Sequence, residues 1–340
     1  MSSALVARPA MSLLVGISLL LTLATATLAH LFAAGMRRAG LGQQIRKYGP
    51  NIHEKKSGTP TMGGIVILLV WVASALAIHY WWQPLSWKGL FVVVAGFSLG
   101  LIGLADDLLS LWNSRSLGLS AGQKVALTTA VSLILFFSFP QILHVPVQVP
   151  FSHITLSLSP LFSFFLLWGA FMATANSMNL TDGLDGLATG VSILILCGYL
   201  IFSLDGEFYW TIIPLLGILA GFLWVNAYPA QLFLGDVGAF ALGGVVAAIA
   251  LVSGTALILP LLAGLLVVES GSVILQVAYF KLTGRRIFKV SPFHHHFEHT
   301  TGISYAYLLP KLEWAEPKIT IRLWILQVLF VGLAIIAARI

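Results

Sequence analysis

Pro160-Leu-Phe-Ser-Phe-Phe-Leu-Leu-Trp-Gly-Ala-Phe-Met-Ala-Thr-Ala-Asn176-Ser-Met-Asn179-Leu-Thr181-Asp182-Gly183-Leu-Asp185-Gly186-Leu-Ala-Thr-Gly-Val-Ser-Ile-Leu-Ile-Leu-Cys197 sets two carboxylates and two amides between two apolar runs. The preceding run has membrane-spanning length. An ionisable residue at a helix centre in lipid costs roughly 2.5 to 3.5 kcal/mol on insertion scales, so carboxylates here need a reason. Capping is the plain one: Thr181 or Asp182 could cap a helix beginning near Gly183. That explains one polar residue and leaves Asn176, Asn179 and Asp185 idle. Asp182 and Asp185, three apart, would share a helical face and could meet a small polar ligand or a cation.

The 340 residues around this stretch are 58% hydrophobic and 9% charged, with mean hydropathy +0.95. Soluble domains carry about 25% charged residues, so this is an all-α polytopic membrane protein. Too little polar sequence remains for a soluble domain of ordinary size, and residues 1–340 read as one membrane domain. The single Cys197 allows no intrachain disulfide and fits an apolar core position. The net charge of +6 would suggest nucleic acid only if it lay on a soluble surface; it lies in loops between spans, which argues against such a partner.

About ten segments can span, near residues 11–36, 62–82, 89–105, 122–139, 160–176, 186–204, 208–225, 237–254, 256–280 and 320–338. Arg37, Arg38, Arg46, Lys47, Lys55 and Lys56 follow the first, the reverse of a secretory signal, so the first span is expected to stay as an anchor. The positive-inside rule then puts both termini outside. All Lys and Arg except Arg8, Lys88 and Arg339 fall in or beside loops one, three, five, seven and nine, on the cytoplasmic side. The alternating outer segment Gln141 to Pro160 suits a short extracytoplasmic β-hairpin. The last cytoplasmic loop, Lys281 to Ile319, is the longest and is expected to hold extra helices.

The polar motifs gather on the same side. Loop one ends Lys55-Lys56-Ser-Gly-Thr-Pro-Thr61-Met-Gly-Gly64, where Lys56 and a Gly/Thr turn could hold phosphate, although Lys55 serves equally as a membrane-side anchor. Loop three has Asp106-Asp107 and reaches Lys124. Adjacent helical residues point about 100° apart, so one carboxylate can face a metal or nucleophile while the other is hydrogen-bonded behind it. Loop seven holds Asn226, Phe233 and Gly235-Asp236-Val-Gly238; Asp236 is an N-cap or a cation ligand, and Phe233 an interface anchor or a platform for a flat ring. In loop nine, His294-His295-His296 suggest zinc at first sight, but neighbouring side chains diverge and tetrahedral sites draw on spaced ligands, so contacts to phosphate and sugar hydroxyls suit them better. Glu269, inside the ninth span, should face the bundle interior as a structural tie.

Carboxylates, lysines, histidines and amides at one membrane boundary, without a P-loop, suit Mg²⁺ and phosphoryl transfer between a lipid-borne and a soluble substrate. The motifs Lys56-Ser-Gly-Thr-Pro-Thr-Met-Gly-Gly64, Ala105-Asp-Asp107, Asn179-Leu-Thr-Asp-Gly-Leu-Asp-Gly186, Asn226-Ala-Tyr-Pro-Ala-Gln231, Gly235-Asp-Val-Gly238 and His294-His-His-Phe-Glu298 resemble those of the polyprenyl-phosphate N-acetylhexosamine-1-phosphate transferases. The triple His followed by Phe-Glu is similar to the phospho-MurNAc-pentapeptide branch. The resemblance runs from loop one to Glu316-Pro-Lys-Ile319.

It implies transfer of phospho-MurNAc-pentapeptide from UDP-MurNAc-pentapeptide to undecaprenyl phosphate, giving lipid I and UMP with Mg²⁺. The implied setting is a homodimer in the bacterial inner membrane. It also implies Asp236 as the Mg²⁺ ligand and Asp106 and Asp107 as the acid/base and phosphate-positioning pair. Lys56, Asn176, Asn179, Asp182, Asp185 and Phe233 would form the nucleotide side, with Phe233 against uracil, and His294, His295 and His296 would contact the sugar-phosphate. Thr61, Lys124 and Asn226 complete the substrate-binding candidates.

Three departures stand out: Ala239 where the family usually has Ser, Leu-Leu-Ser after Asp107 in place of Tyr-Leu-Lys, and a longer stretch between Glu298 and Glu316. Two rivals remain. A UDP-GlcNAc transferase would share fold and metal. A proton-coupled transporter would keep its carboxylates near the midplane on broken helices rather than at span ends on one side.

Overall fold

Backbone polar groups in lipid must be satisfied within the segment, so apolar runs of this length become helices. A computed structural model, describing residues 3–40, 58–112, 118–202, 206, 208–300 and 305–339, has that form. In chain order the helices are α1 (Ser3–Arg38), α2 (Gly64–Trp81), α3 (Trp87–Trp112) and α4 (Ala121–Ser138), then, after the two short strands, α5 (Pro160–Thr181), α6 (Leu187–Phe202) and α7 (Tyr209–Asn226). They continue with α8 (Gly235–Val252), the short α9 (Leu259–Leu262), α10 (Gly264–Thr283) and α11 (Glu316–Arg339). Among the described residues nine helices are long and apolar enough to cross a membrane, and α6 supplies a shorter apolar helix at the sixth expected span.

Helix α8 is the axis: 89% of its apolar stretch is buried, against 11% for α1. Its sequence, Gly-Asp-Val-Gly-Ala-Phe-Ala-Leu-Gly-Gly-Val-Val-Ala-Ala, offers small residues on several faces, and small residues are what let helices approach closely without a hydrophobic drive from lipid. A β-carbon at Gly103 of α3 would lie 2.1 Å from the Asp236 carbonyl oxygen, and one at Gly243 would lie 2.6 Å from Ala175 Cα in α5. Helices α3, α5 and α8 thus touch backbone to backbone. That contact fixes where their polar ends meet.

The other end of the bundle is closed by the hairpin. Strands β1 (Val147–Gln148) and β2 (Thr155–Leu156) pair antiparallel, Val147 opposite Leu156. The Gln148 N–H donates to the Gly254 carbonyl at 2.8 Å and the Phe151 N–H to the Ala337 carbonyl at 2.7 Å, tying the hairpin to the ends of α8 and α11.

The expected span 256–280 is not one helix. It breaks between α9 and α10, where Pro260 starts one piece and Ala263-Gly264 interrupts the register. Buried Gln327 of α11 repairs the break, accepting from the Leu265 N–H at 3.1 Å and donating to the Leu262 carbonyl at 2.6 Å. The last cytoplasmic loop, expected to hold extra helices, shows only a 3₁₀ turn, Phe293–His296, among its described residues. Side-chain ties to Gln276 and Lys289 hold it instead.

Candidate functional site

The polar ends of α3, α4, α5 and α8 converge. Helix α3 runs to Trp112, beyond the expected end of its span, so Asp106 and Asp107 sit on its last turns. Ser120 starts α4 with a reciprocal capping box with Gln123, which places Lys124 in the first turn. The Lys124 ammonium lies 2.9 Å from Asp236 Oδ2 and 3.2 Å from Asp106 Oδ2. Asn179, near the end of α5, donates to Asp236 Oδ1 at 2.6 Å, and the Leu119 N–H donates to Asp106 Oδ1 at 2.6 Å. Four elements far apart in the chain thus share one small polar cluster.

Asp107 faces a different way. Its Oδ2 accepts from the Val237 N–H at 3.0 Å, and its carboxylate also accepts from the Asp236 N–H. Helix α8 has no cap from its own Leu234. A carboxylate from α3 therefore caps it, aligned with the positive end of the α8 dipole. The vicinal aspartates divide: Asp106 faces the Lys124 cation and Asp107 fastens the backbone that carries Asp236.

Loops one and seven clasp each other beside this cluster. The Phe233 N–H donates to the Pro60 carbonyl at 2.9 Å, while the Gly63 and Gly64 N–H groups donate to the Phe233 and Leu234 carbonyls at 2.9 and 2.8 Å. Thr61 is half-buried inside this clasp. At its centre Gly235 has φ +75°, and a β-carbon there would lie 2.8 Å from Asp107 Oδ2, so only glycine fits.

Two other candidates serve the loop behind Phe233. Buried Asn226 donates to the Leu232 carbonyl at 3.0 Å and accepts from Thr189 at 2.8 Å. Buried Asp185 Oδ2 accepts from the Ala230 N–H at 2.9 Å. Asp182 ends α5, its N–H donating to the Met178 carbonyl at 3.1 Å, and the following helix begins only at Leu187. Asn176 donates back to Met172 of its own helix at 2.7 Å. Lys56 lies outside the described residues.

The three histidines have three different surroundings. His294 Nδ1 lies 3.0 Å from Glu269 Oε2, and His295 Nδ1 lies 2.7 Å from Glu298 Oε2. His296 Nδ1 accepts from the Lys289 N–H at 3.1 Å. Burial, and then the neighbouring Lys289 charge, hold the His296 imidazole below its ordinary pKa. Burial likewise lowers Lys289, although Glu313 lies 3.6 Å from its ammonium. Lys289 also donates to the Glu298 carbonyl. In the sequence Lys289 counts only towards the positive-inside balance; its position between Phe288 and Val290 is the signal that it is drawn inward.

Among the described residues no group of three or more His, Cys, Asp or Glu is placed to hold a metal by itself. Asp106 and Asp236 nevertheless aim one oxygen each at the Lys124 ammonium, so the two carboxylates face a common point. Two carboxylates with waters and substrate phosphates are a donor set that suits Mg²⁺, so the residues present fit that ion.

Residues 90–254 match the glycosyl transferase family 4 model. Residues 56–68 match signature 1 of the phospho-N-acetylmuramoyl-pentapeptide-transferases. Proteins of that name align over nearly the whole chain. The one from Caldanaerobacter subterraneus subsp. tengcongensis is 39% identical, over 88% of this chain and 90% of its own length. Those from Clostridium acetobutylicum and Geobacillus kaustophilus are 38% and 37% identical, over 85% and 92% of this chain and 87% and 94% of theirs. The chain belongs to the phospho-N-acetylmuramoyl-pentapeptide-transferase family.

Proposed function

We propose that this protein transfers phospho-MurNAc-pentapeptide from UDP-MurNAc-pentapeptide to undecaprenyl phosphate, releasing UMP and leaving lipid I in the membrane. The observation that carries the reading is the meeting of Asp106 and Asp236 on the Lys124 ammonium at one end of the bundle, in a chain of this family. By the positive-inside rule, the basic loops favour the cytoplasmic side of the inner membrane for that end, with both termini outside. The homodimer implied by the family resemblance belongs to the same reading.

In the transfer, an oxygen of the lipid phosphate attacks the phosphorus bearing the sugar, and the bond from that phosphorus to the UMP oxygen breaks. Mg²⁺, when bound, supplies charge neutralisation for the donor pyrophosphate. Asp236 is its proposed ligand, as the resemblance implies; Asp106, expected in the acid/base and phosphate-positioning pair, is proposed beside it because it faces the same point, and Asn179 holds Asp236 from the other oxygen. Lys124 supplies positive charge beside the transferring phosphoryl group, where charge stabilisation and positioning carry most of the catalysis. Asp107 acts through the α8 N-terminus, holding the Asp236 backbone in place. An ionised phosphate is already a competent nucleophile once its charge is screened, so direct attack suffices without a phosphorylated aspartate. Thr61, Asn176, Asp182, Asp185, Asn226 and Phe233 form or support the nucleotide side, and the histidines the sugar-phosphate side.

The test is a comparison of nucleotide sugars. Purified protein with undecaprenyl phosphate and Mg²⁺ should release UMP from UDP-MurNAc-pentapeptide and be inert towards UDP-GlcNAc. The opposite preference would make it the UDP-GlcNAc enzyme.

A further inference from the structure

Glu269 stands in the second turn of α10 and is fully buried. Its Oε2 meets both the His294 backbone N–H, at 3.3 Å, and the ring Nδ1, at 3.0 Å. A carboxylate at Nδ1 fixes the proton there and sets the plane of the ring, leaving Nε2 on the far side. That far side abuts the Asn179–Gly186 turn: a β-carbon at Gly183 would lie 2.2 Å from Nε2 and 2.8 Å from Cε1. His294 is therefore a strut. One edge is held from inside the bundle and the other rests on the turn between Asp182 and Leu184.

For stability alone this is a poor arrangement. Both partners of a buried polar pair can often be replaced by well-packed apolar side chains at little loss. This pair also leaves two buried atoms, Glu269 Oε1 and His294 Nε2, without a hydrogen-bond partner among the described residues. Ionisable groups kept within a membrane bundle at such cost mark function, with the partner named.

We propose that Glu269 is a positioning residue for the transfer, fixing the His294 ring so that the histidine turn and the Asn179–Gly186 turn keep one mutual register on the nucleotide-sugar side. This rests on the functional reading above and adds a residue from a third element to it. Glu269 touches no substrate in this account; it acts through His294.

The experiment compares Glu269→Leu, Glu269→Gln, Gly183→Ala and the Leu/Ala double variant in the full-length protein. Glu269→Leu should raise the KM for UDP-MurNAc-pentapeptide about tenfold, leaving that for undecaprenyl phosphate within about twofold, and Glu269→Gln, which keeps an acceptor oxygen, should restore most of the loss. Gly183→Ala displaces the same ring from the other side, so the double variant should be no worse than the poorer single one. Hydrogen exchange adds a readout that does not need turnover: segments 179–186 and 293–298 should both exchange faster in Glu269→Leu, with α8 unchanged. The proposal is overturned if exchange at 179–186 is unaltered, or if both KM values rise together as the melting temperature falls. If the wild-type protein transfers no UDP-MurNAc-pentapeptide, the functional reading fails, and the exchange result still decides whether Glu269 sets the turn.

Discussion

The two halves of the candidate site are built by different means. The aspartate half is placed mainly by backbone: α3 and α8 touch at Gly103, and loops one and seven are clasped by main-chain hydrogen bonds, with the Asp107 carboxylate added as a cap on α8. The histidine half is placed by side chains: Glu269 and Glu298 hold His294 and His295, the Lys289 N–H holds His296, and Gln276 accepts from the N–H groups of Ile287 and Phe288. Backbone contact fixes a position to fractions of an ångström, whereas side-chain ties depend on which groups are charged. On the proposed function, the half that would position the reacting phosphates is built mainly on main-chain contacts, and the half that would face the sugar-peptide on side-chain ties.

That contrast can be broken from either side. Asp236→Asn should lower turnover by about 10²-fold while the protein stays folded, the size expected when a charge-stabilising group is lost; activity within a few-fold of wild type would remove Asp236 from the centre. Gly103→Ala should cost about tenfold in turnover and about 1–3 kcal/mol of stability, because its new methyl meets a backbone carbonyl that cannot rotate away. Gly332→Ala, where nothing lies within 4 Å, is the control and should change neither. Lys124→Gln should cost roughly tenfold in turnover, since it removes a cation and leaves the helix contacts intact.

The smallest effect is confined to the histidine half. His296 is held below its ordinary pKa, so the unfolded loop binds a proton in a pH range where the folded loop does not. Stability is therefore full above the ordinary value of about 6.5 and is lost as pH falls below it. Hydrogen exchange of residues 289–298, corrected for intrinsic rates, should quicken between about pH 7.5 and 5.5 with the α3–α8 contact unaffected. His296→Gln should flatten that dependence.

The spans were legible in the sequence because lipid leaves a helix as the answer for a long apolar run, and the hairpin because its alternation is short and bounded by proline. The one-sided gathering of aspartates was legible from charge counting. That the adjacent Asp106 and Asp107 would face different ways was legible from helix geometry; which one faces the cation, and what the other holds, was not. That Asp107 caps α8, and that Asn179 and Lys124 meet on Asp236, are contacts across more than fifty residues, fixed by how closely glycine-bearing helices approach. The break before α10 was hidden for a related reason: its repair comes from Gln327, which reads as one polar residue in an apolar helix. Asp185 and Asn226 look like ligand-binding residues by type and place, yet hold the loop behind Phe233; only the backbone path distinguishes the two uses.

The central claim is that Asp106 and Asp236, on separate helices, act on one shared cation. A double-mutant cycle on kcat/KM with Asp106→Asn, Asp236→Asn and the pair, under saturating Mg²⁺, measures that sharing. Groups acting as a unit should lose little more together than the worse single variant loses alone. Losses that multiply would mean that the two carboxylates work independently and would contradict the account.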